Sequence, residues 1–118
     1  MNKLEEKKRE ERIENEIVVD CYNSEEQLSS WYYYLEDKLD FPFDAIWKSS
    51  EDSIEEKVRV IEMSDYLDCD DEKDMLVEIE FEGETLAVSL FEIFSPKANN
   101  ATIDAIEDWH YWVNSGNR

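Results

Sequence analysis

The side chains in this sequence that could do chemistry are almost all carboxylates. The densest group is Ser64-Asp65-Tyr66-Leu67-Asp68-Cys69-Asp70-Asp71-Glu72-Lys73-Asp74, which holds five Asp, one Glu and one Lys. Closely spaced oxygens in a loop suit a hard cation, and calcium takes about six to eight of them. Asp68, Asp70 and Glu72 fall on alternate positions, as the first ligands of a calcium loop would. An EF-hand is nevertheless excluded, because Lys73 stands where that loop needs Gly and Ile79 where it needs its final Glu. A second group is Glu36-Asp37, with Asp40 just beyond, at the end of a predicted helix. Carboxylates there face the negative end of the helix dipole, so a cation would relieve them. The last carbonyls of the helix have no partner within it and offer further oxygens. Acids of this kind often do no more than solvate a surface. Like charges held together raise the free energy, however, so a tight cluster calls for a partner.

Catalysis finds little support. His110 is the single histidine, set in Asp108-Trp109-His110-Tyr111-Trp112, and reads as a packed structural residue; an Asp108–His110 pair is the one weak enzymatic option. Two glycines cannot build a phosphate loop or a dinucleotide fingerprint. Cys21 and Cys69 lack zinc or disulfide spacing and suit a reducing compartment. No enzyme is expected, and the expected location is the cytoplasm.

The charge balance narrows the partners. The formal net charge is −20 at pH 7, and the first twelve residues hold five of the twelve bases. Such a surface repels nucleic acid and anionic membranes and attracts cations or a basic protein. No apolar run reaches the roughly 18 residues of a membrane helix. Four Trp, six Tyr and five Phe supply a core, so a single folded domain over residues 1–118 is expected, with 1–10 frayed and the chain a monomer.

Several elements position these residues. Met1 to Glu16 reads as a charged helix that turns apolar at Ile13 and Ile17. Ser24-Glu25-Glu26-Gln27 reads as a capping box with Ser24 as the N-cap. It opens a helix whose Leu28, Trp31, Tyr32, Leu35 and Leu39 form one apolar stripe, stopped by Phe41-Pro42-Phe43. Val58 and Val60, then Met75, Val77, Ile79 and Phe81, then Leu86, Val88 and Leu90 alternate as strands, giving three or four between about Lys57 and Ile93. Glu82-Gly83-Glu84 marks a turn, and Ser95-Pro96 with Asn99-Asn100 a loop. A last helix starts near Thr102 and is closed by Gly116. The expected class is α+β: N-terminal helices and a C-terminal helix around a small antiparallel, barrel-like sheet.

Trp31-Tyr32-Tyr33-Tyr34-Leu35-Glu36-Asp37-Lys38-Leu39 followed by Phe41-Pro42-Phe43 resembles the core motif of the cyanobacterial CcbP-type calcium-binding proteins. Glu11-Arg12-Ile13, Ile17-Val18-Val19-Asp20, Ala87-Val88-Ser89-Leu90 and Glu107-Asp108-Trp109-His110-Tyr111-Trp112-Val113 look similar in the same order, over roughly residues 10–113. The resemblance implies calcium as the bound ion, held without EF-hands, in a cytosolic buffer or signalling protein. It implies Asp37 as the first ligand with Glu36 beside it, and Asp68, Asp70 and Asp71 from the acidic loop. Three departures stand out: Ser89 in place of a Pro, Asn23 in place of a turn Gly, and Asp44 in place of a small polar residue. The alternative reading is an acidic protein that binds a basic partner by imitating nucleic-acid charge.

Overall fold

In a computed structural model of the chain, residues 3–19, 21–49, 55–65 and 75–115 are described. Helix α1 spans Lys3–Arg12 and runs into a π-helical turn at Ile13–Ile17. Helix α2 spans Ser24–Lys38 and is followed by β1 (Phe43–Lys48), β2 (Glu55–Met63), β3 (Leu76–Phe81) and β4 (Glu84–Ser89). A short 3-10 turn at Leu90–Glu92 leads to β5 (Ile93–Lys97), and α3 (Asn100–Asn114) ends the described chain. No described helix is long and apolar enough to cross a membrane.

The stripe on α2 is the strongest local signal, and all five of its residues are buried. The helix starts one residue earlier than the sequence suggests. Asn23, not Ser24, is the N-cap, because its side chain accepts from the Glu26 amide at 2.8 Å. The Glu26 carboxylate reaches back to accept from the Tyr22 amide at 2.7 Å. The pattern resembles a capping box begun one position earlier, except that the Glu26 carboxylate takes the amide of the residue before the N-cap rather than that of the N-cap itself. At the other end Leu39 turns extended while its amide still donates to the Leu35 carbonyl at 2.8 Å.

The sheet is antiparallel throughout, in the order β4-β3-β2-β1-β5. Its described strands end at two unpaired edges, β4 and β5, so the sheet stays open rather than closing as a barrel. Two strands lie outside the stretch read as strands from alternation. β1 follows directly on Phe41-Pro42-Phe43, so the segment that stops α2 also starts the sheet. β5 includes Ser95 and Pro96, expected as a loop, and its edge position is where a strand tolerates proline. Helix α3 correspondingly begins at Asn100, with Asn99 as N-cap accepting from the Thr102 amide at 2.9 Å. Gly116 lies outside the described residues.

Local chemistry explains the register. Glu82 and Gly83 both have positive φ, 51° and 80°, which is the two-residue turn whose twist suits a hairpin, and β3 and β4 pair across it. A register shift between Val60 and Glu62 inserts one residue into β2. Val58 and Val60 face inward before it and Met63 after it, while Glu62 stays outside.

The inner sheet face and the helices enclose one core. At its centre the Trp31 indole, fully buried, meets Trp109 of α3 nearly edge-on, 5.2 Å between ring centres, with Trp112 and Tyr34 at 5.8 and 6.0 Å. Helix α1 is fixed differently. Asp108 of α3 has no exposed surface and accepts from Arg9 Nη1 at 2.9 Å, Arg12 Nε at 2.9 Å and Arg12 Nη2 at 2.6 Å. Leu35, fully buried on the helix that bears Glu36 and Asp37, provides a direct test of this core. Leu35→Ala is expected to lower unfolding stability by about 2–5 kcal/mol in a urea titration, whereas Tyr22→Ala, at a position 87% exposed, should change it by no more than about 0.5 kcal/mol.

Candidate metal site

Two of the five expected ligands, Glu36 and Asp37, lie on the last turn of α2, and both are exposed. The single base on that turn is Lys38. Its ammonium stands 3.9 Å from Asp37 Oδ2 and 5.9 Å from the centre of the Tyr34 ring, so it is shared and remote. Asp37, 78% exposed, keeps its carboxylate open to water and ions. The helix end behind it is held firmly. Thr102 of α3 is fully buried, and its hydroxyl accepts from the Asp40 amide at 2.9 Å and donates to the Lys38 carbonyl at 3.4 Å. Asn99 Nδ2 donates to Asp40 Oδ2 at 3.4 Å, so Asp40 is tied to the start of α3. Because Asp40 gives its amide to Thr102, it does not continue the helical ladder to the Glu36 carbonyl. The carbonyl end of α2 therefore points past the helix with oxygen donors beside two carboxylates.

An all-oxygen donor set fits a hard cation such as calcium. It does not complete one. Consecutive helical side chains diverge by about 100°, so Glu36 and Asp37 do not close on a single ion by themselves. Among the described residues no three His, Cys, Asp or Glu side chains converge as a metal cage. Asp68, Asp70 and Asp71 lie outside the described residues. What is described is where the chain leaves β2 and returns. Tyr32 Oη of α2 donates to the Ser64 carbonyl at 2.6 Å, the Ser64 amide donates to Leu76 O at 3.0 Å, and Ser64 Oγ donates to Glu78. Tyr32 and Glu36 are one turn apart on α2. The helix that carries the first two acids thus also anchors the chain where it enters the acidic segment.

The Asp108–His110 pair does not form. Asp108 is committed to Arg9 and Arg12. His110 is half-buried between Phe91 and Phe94, at 5.0 and 4.7 Å, and its Nε2 lies 3.3 Å from the Leu90 carbonyl.

A family model described as calcium binding matches residues 11–113, nearly the whole chain. The chain belongs to the CcbP-type calcium-binding family. Two solved structures are similar over almost their full lengths. One is the crystal structure of Anabaena CcbP, 40% identical, covering 91% of this chain and 89% of that one with a TM-score of 0.78. The other is a calcium binding protein in its calcium-binding form, 37% identical, covering 100% and 99% with a TM-score of 0.83. Comparison with curated proteins found no match.

The three departures of this CcbP-type chain have structural explanations. Asn23 caps α2, and Ser89 Oγ accepts from the Phe91 amide to cap the turn before β5. Asp44 lies 3.4 Å from Arg59 on the strand β1, where it adds a cross-strand ion pair. Sequence reasoning passed over Thr102, Asn99, Tyr32 and Ser64 as supports of the site. Their partners lie 32 to 64 residues away in the chain, and only the Asn at the start of α3 left a local signal.

Burial lowers the His110 pKa from its ordinary 6.5, against weaker opposing contacts with the Leu90 and Ile93 backbone. The unfolded chain therefore takes up this proton first, so the stabilising contribution is present above about pH 6.5 and is lost as pH falls from there through the lower folded-state value. In urea titrations at pH 8 and pH 5.5, about 1 unit below the ordinary value, wild type should lose more stability than His110→Gln does on acidification. Equal losses would show that the imidazole is not desolvated.

Proposed function

We propose that this chain binds calcium through Asp37 and Glu36 at the end of α2 together with Asp68, Asp70 and Asp71 of the acidic segment, and acts as a cytosolic calcium buffer or signalling protein. The observation that carries this reading is the likeness, over the whole chain, to a calcium binding protein in its calcium-binding form. The exposed carboxylates beside the carbonyl end of α2, in a chain of net charge −20, provide a matching donor chemistry. The surrounding charge raises the local cation concentration, and the ligands supply the short-range coordination. Water fills the remaining positions, as is usual where carboxylates are few.

An open site of this kind binds with an affinity in the micromolar-to-millimolar range and weakens with salt, since screening removes the long-range attraction. Calorimetric titration at low salt is expected to give saturable calcium binding in wild type and at least ~10-fold weaker binding in Asp37→Asn, a loss of about 1.4 kcal/mol. Calcium at about 100 times its Kd should raise stability by about 2.7 kcal/mol and the melting temperature with it. No heat and an unchanged melting curve in millimolar calcium would overturn the reading. Buffer and signalling roles separate in the same samples. A change in the fluorescence of the Trp31–Trp109–Trp112 cluster on saturation marks a rearrangement suited to signalling, and unchanged emission marks a buffer.

A further inference from the structure

A groove of about 600 Å³ runs between β5 and helix α3, on a part of the molecule that the calcium reading does not use. Its floor is apolar: Ile93 and Ile106 are fully buried beneath it, and Phe94, Pro96 and Ile103 are half-exposed along it. A concavity of this size is typical of ligand and peptide sites, which run from about 300 to 1,000 Å³. Its lining includes one acid, Glu107, which Arg9 pairs at 3.2 Å, and the imidazole of His110, and the exposed Asp104 precedes Glu107 by one turn on α3. Among the described strands, β5 pairs with β1 alone.

The charge decides what such a groove can hold. A second copy of the chain would bring −20 against −20, and an anionic peptide, nucleic acid or acidic membrane meets the same repulsion. A cationic segment is drawn in by the whole molecule. Electrostatic steering of this kind raises association rates by about 10- to 1,000-fold, while the apolar floor provides the contact that slows release. From the apolar groove, the exposed Asp104 beside it and the net charge of −20, we infer that this face is a docking site for a basic amphipathic segment of another protein, with apolar side chains in the groove and Lys or Arg outside. The inference stands apart from calcium binding at α2, and the loss of either leaves the other intact.

The test uses three synthetic peptides of equal length: Leu and Lys in alternation, the same with Glu for Lys, and the same with Ser for Leu. Fluorescence anisotropy with the full chain is expected to show binding of the Leu–Lys peptide alone, weakening as salt rises from about 0.05 to about 0.5 M. Ile103→Ser should weaken it at least ~10-fold, and so should Asn114→Lys, which places a base on the exposed rim without touching the core. Circular dichroism checks that both variants are folded, and Asn114→Lys keeps the test decisive if Ile103→Ser is not. Equal binding of the Ser–Lys peptide would overturn the inference in favour of diffuse charge attraction. Indifference of binding to both variants would place the contact elsewhere. A dimer in sedimentation equilibrium that Asn114→Lys dissociates would mean that a second copy occupies the groove.

Discussion

The meeting of the Trp31 and Trp109 indoles sets where α2 and α3 lie, and the described surfaces with functional promise all hang on that placement. With the two helices locked, the Thr102 hydroxyl arrives under the end of α2 and holds Asp40 and Lys38. The same α3 forms one wall of the apolar groove and presents Asp108 to α1. Two rings of this size bury a large area and favour edge-on contact, so the pair specifies an angle as well as a distance. The acidic residues are then carried on a scaffold whose geometry they do not determine.

The acids fall into two classes by their surroundings. Asp108 is enclosed, and its charge is matched by two guanidiniums in fixed geometry, so it acts as a structural anion. Loss of both guanidiniums would leave an uncompensated buried charge, at a cost of about 3–5 kcal/mol, whereas loss of one leaves the carboxylate paired to the other. Glu36 and Asp37 are open to solvent and have one loosely placed Lys nearby. Their electrostatic demand is met by whatever the solution supplies. Among the described residues the buried charges, Arg9 and Asp108, are paired internally, and Glu36 and Asp37 stay in water.

The elements legible in the sequence were those with a single uninterrupted period. The α2 stripe repeats at three and four residues over Leu28 to Leu39, and β3 alternates without a break, so both stood out. β1 and β5 did not, because a proline, which ordinarily signals the opposite, stands just before one and within the other. Pro42 immediately precedes β1, and Pro96 lies within β5, permitted there by its place at the sheet edge. The position of Glu36 and Asp37 was legible from the helix stop that follows them. The ties from Thr102, Asn99 and Tyr32 were not, since a hydrogen bond between residues far apart in the chain leaves no periodic trace. For the same reason sequence spacing alone does not settle a coordination sphere, which depends on convergence in space.

Among the described strands β4 ends the sheet, and that edge has a consequence for the chain in bulk. Thr85, Leu86 and Ala87 are all exposed along it, and a free strand edge with apolar side chains is a template for pairing with another copy. Its hairpin neighbours Glu82 and Glu84 carry charge, and long-range repulsion among molecules of net charge −20 keeps such edges apart. Colloidal stability is thereby tied to ionisation. Every proton or divalent ion taken up subtracts from the repulsion, and near the isoelectric point of about 4.1 nothing of it remains. The charge that draws cations to the chain is thus also its dispersant, and the extent of cation loading sets how crowded a solution of this protein can become before its sheets begin to join.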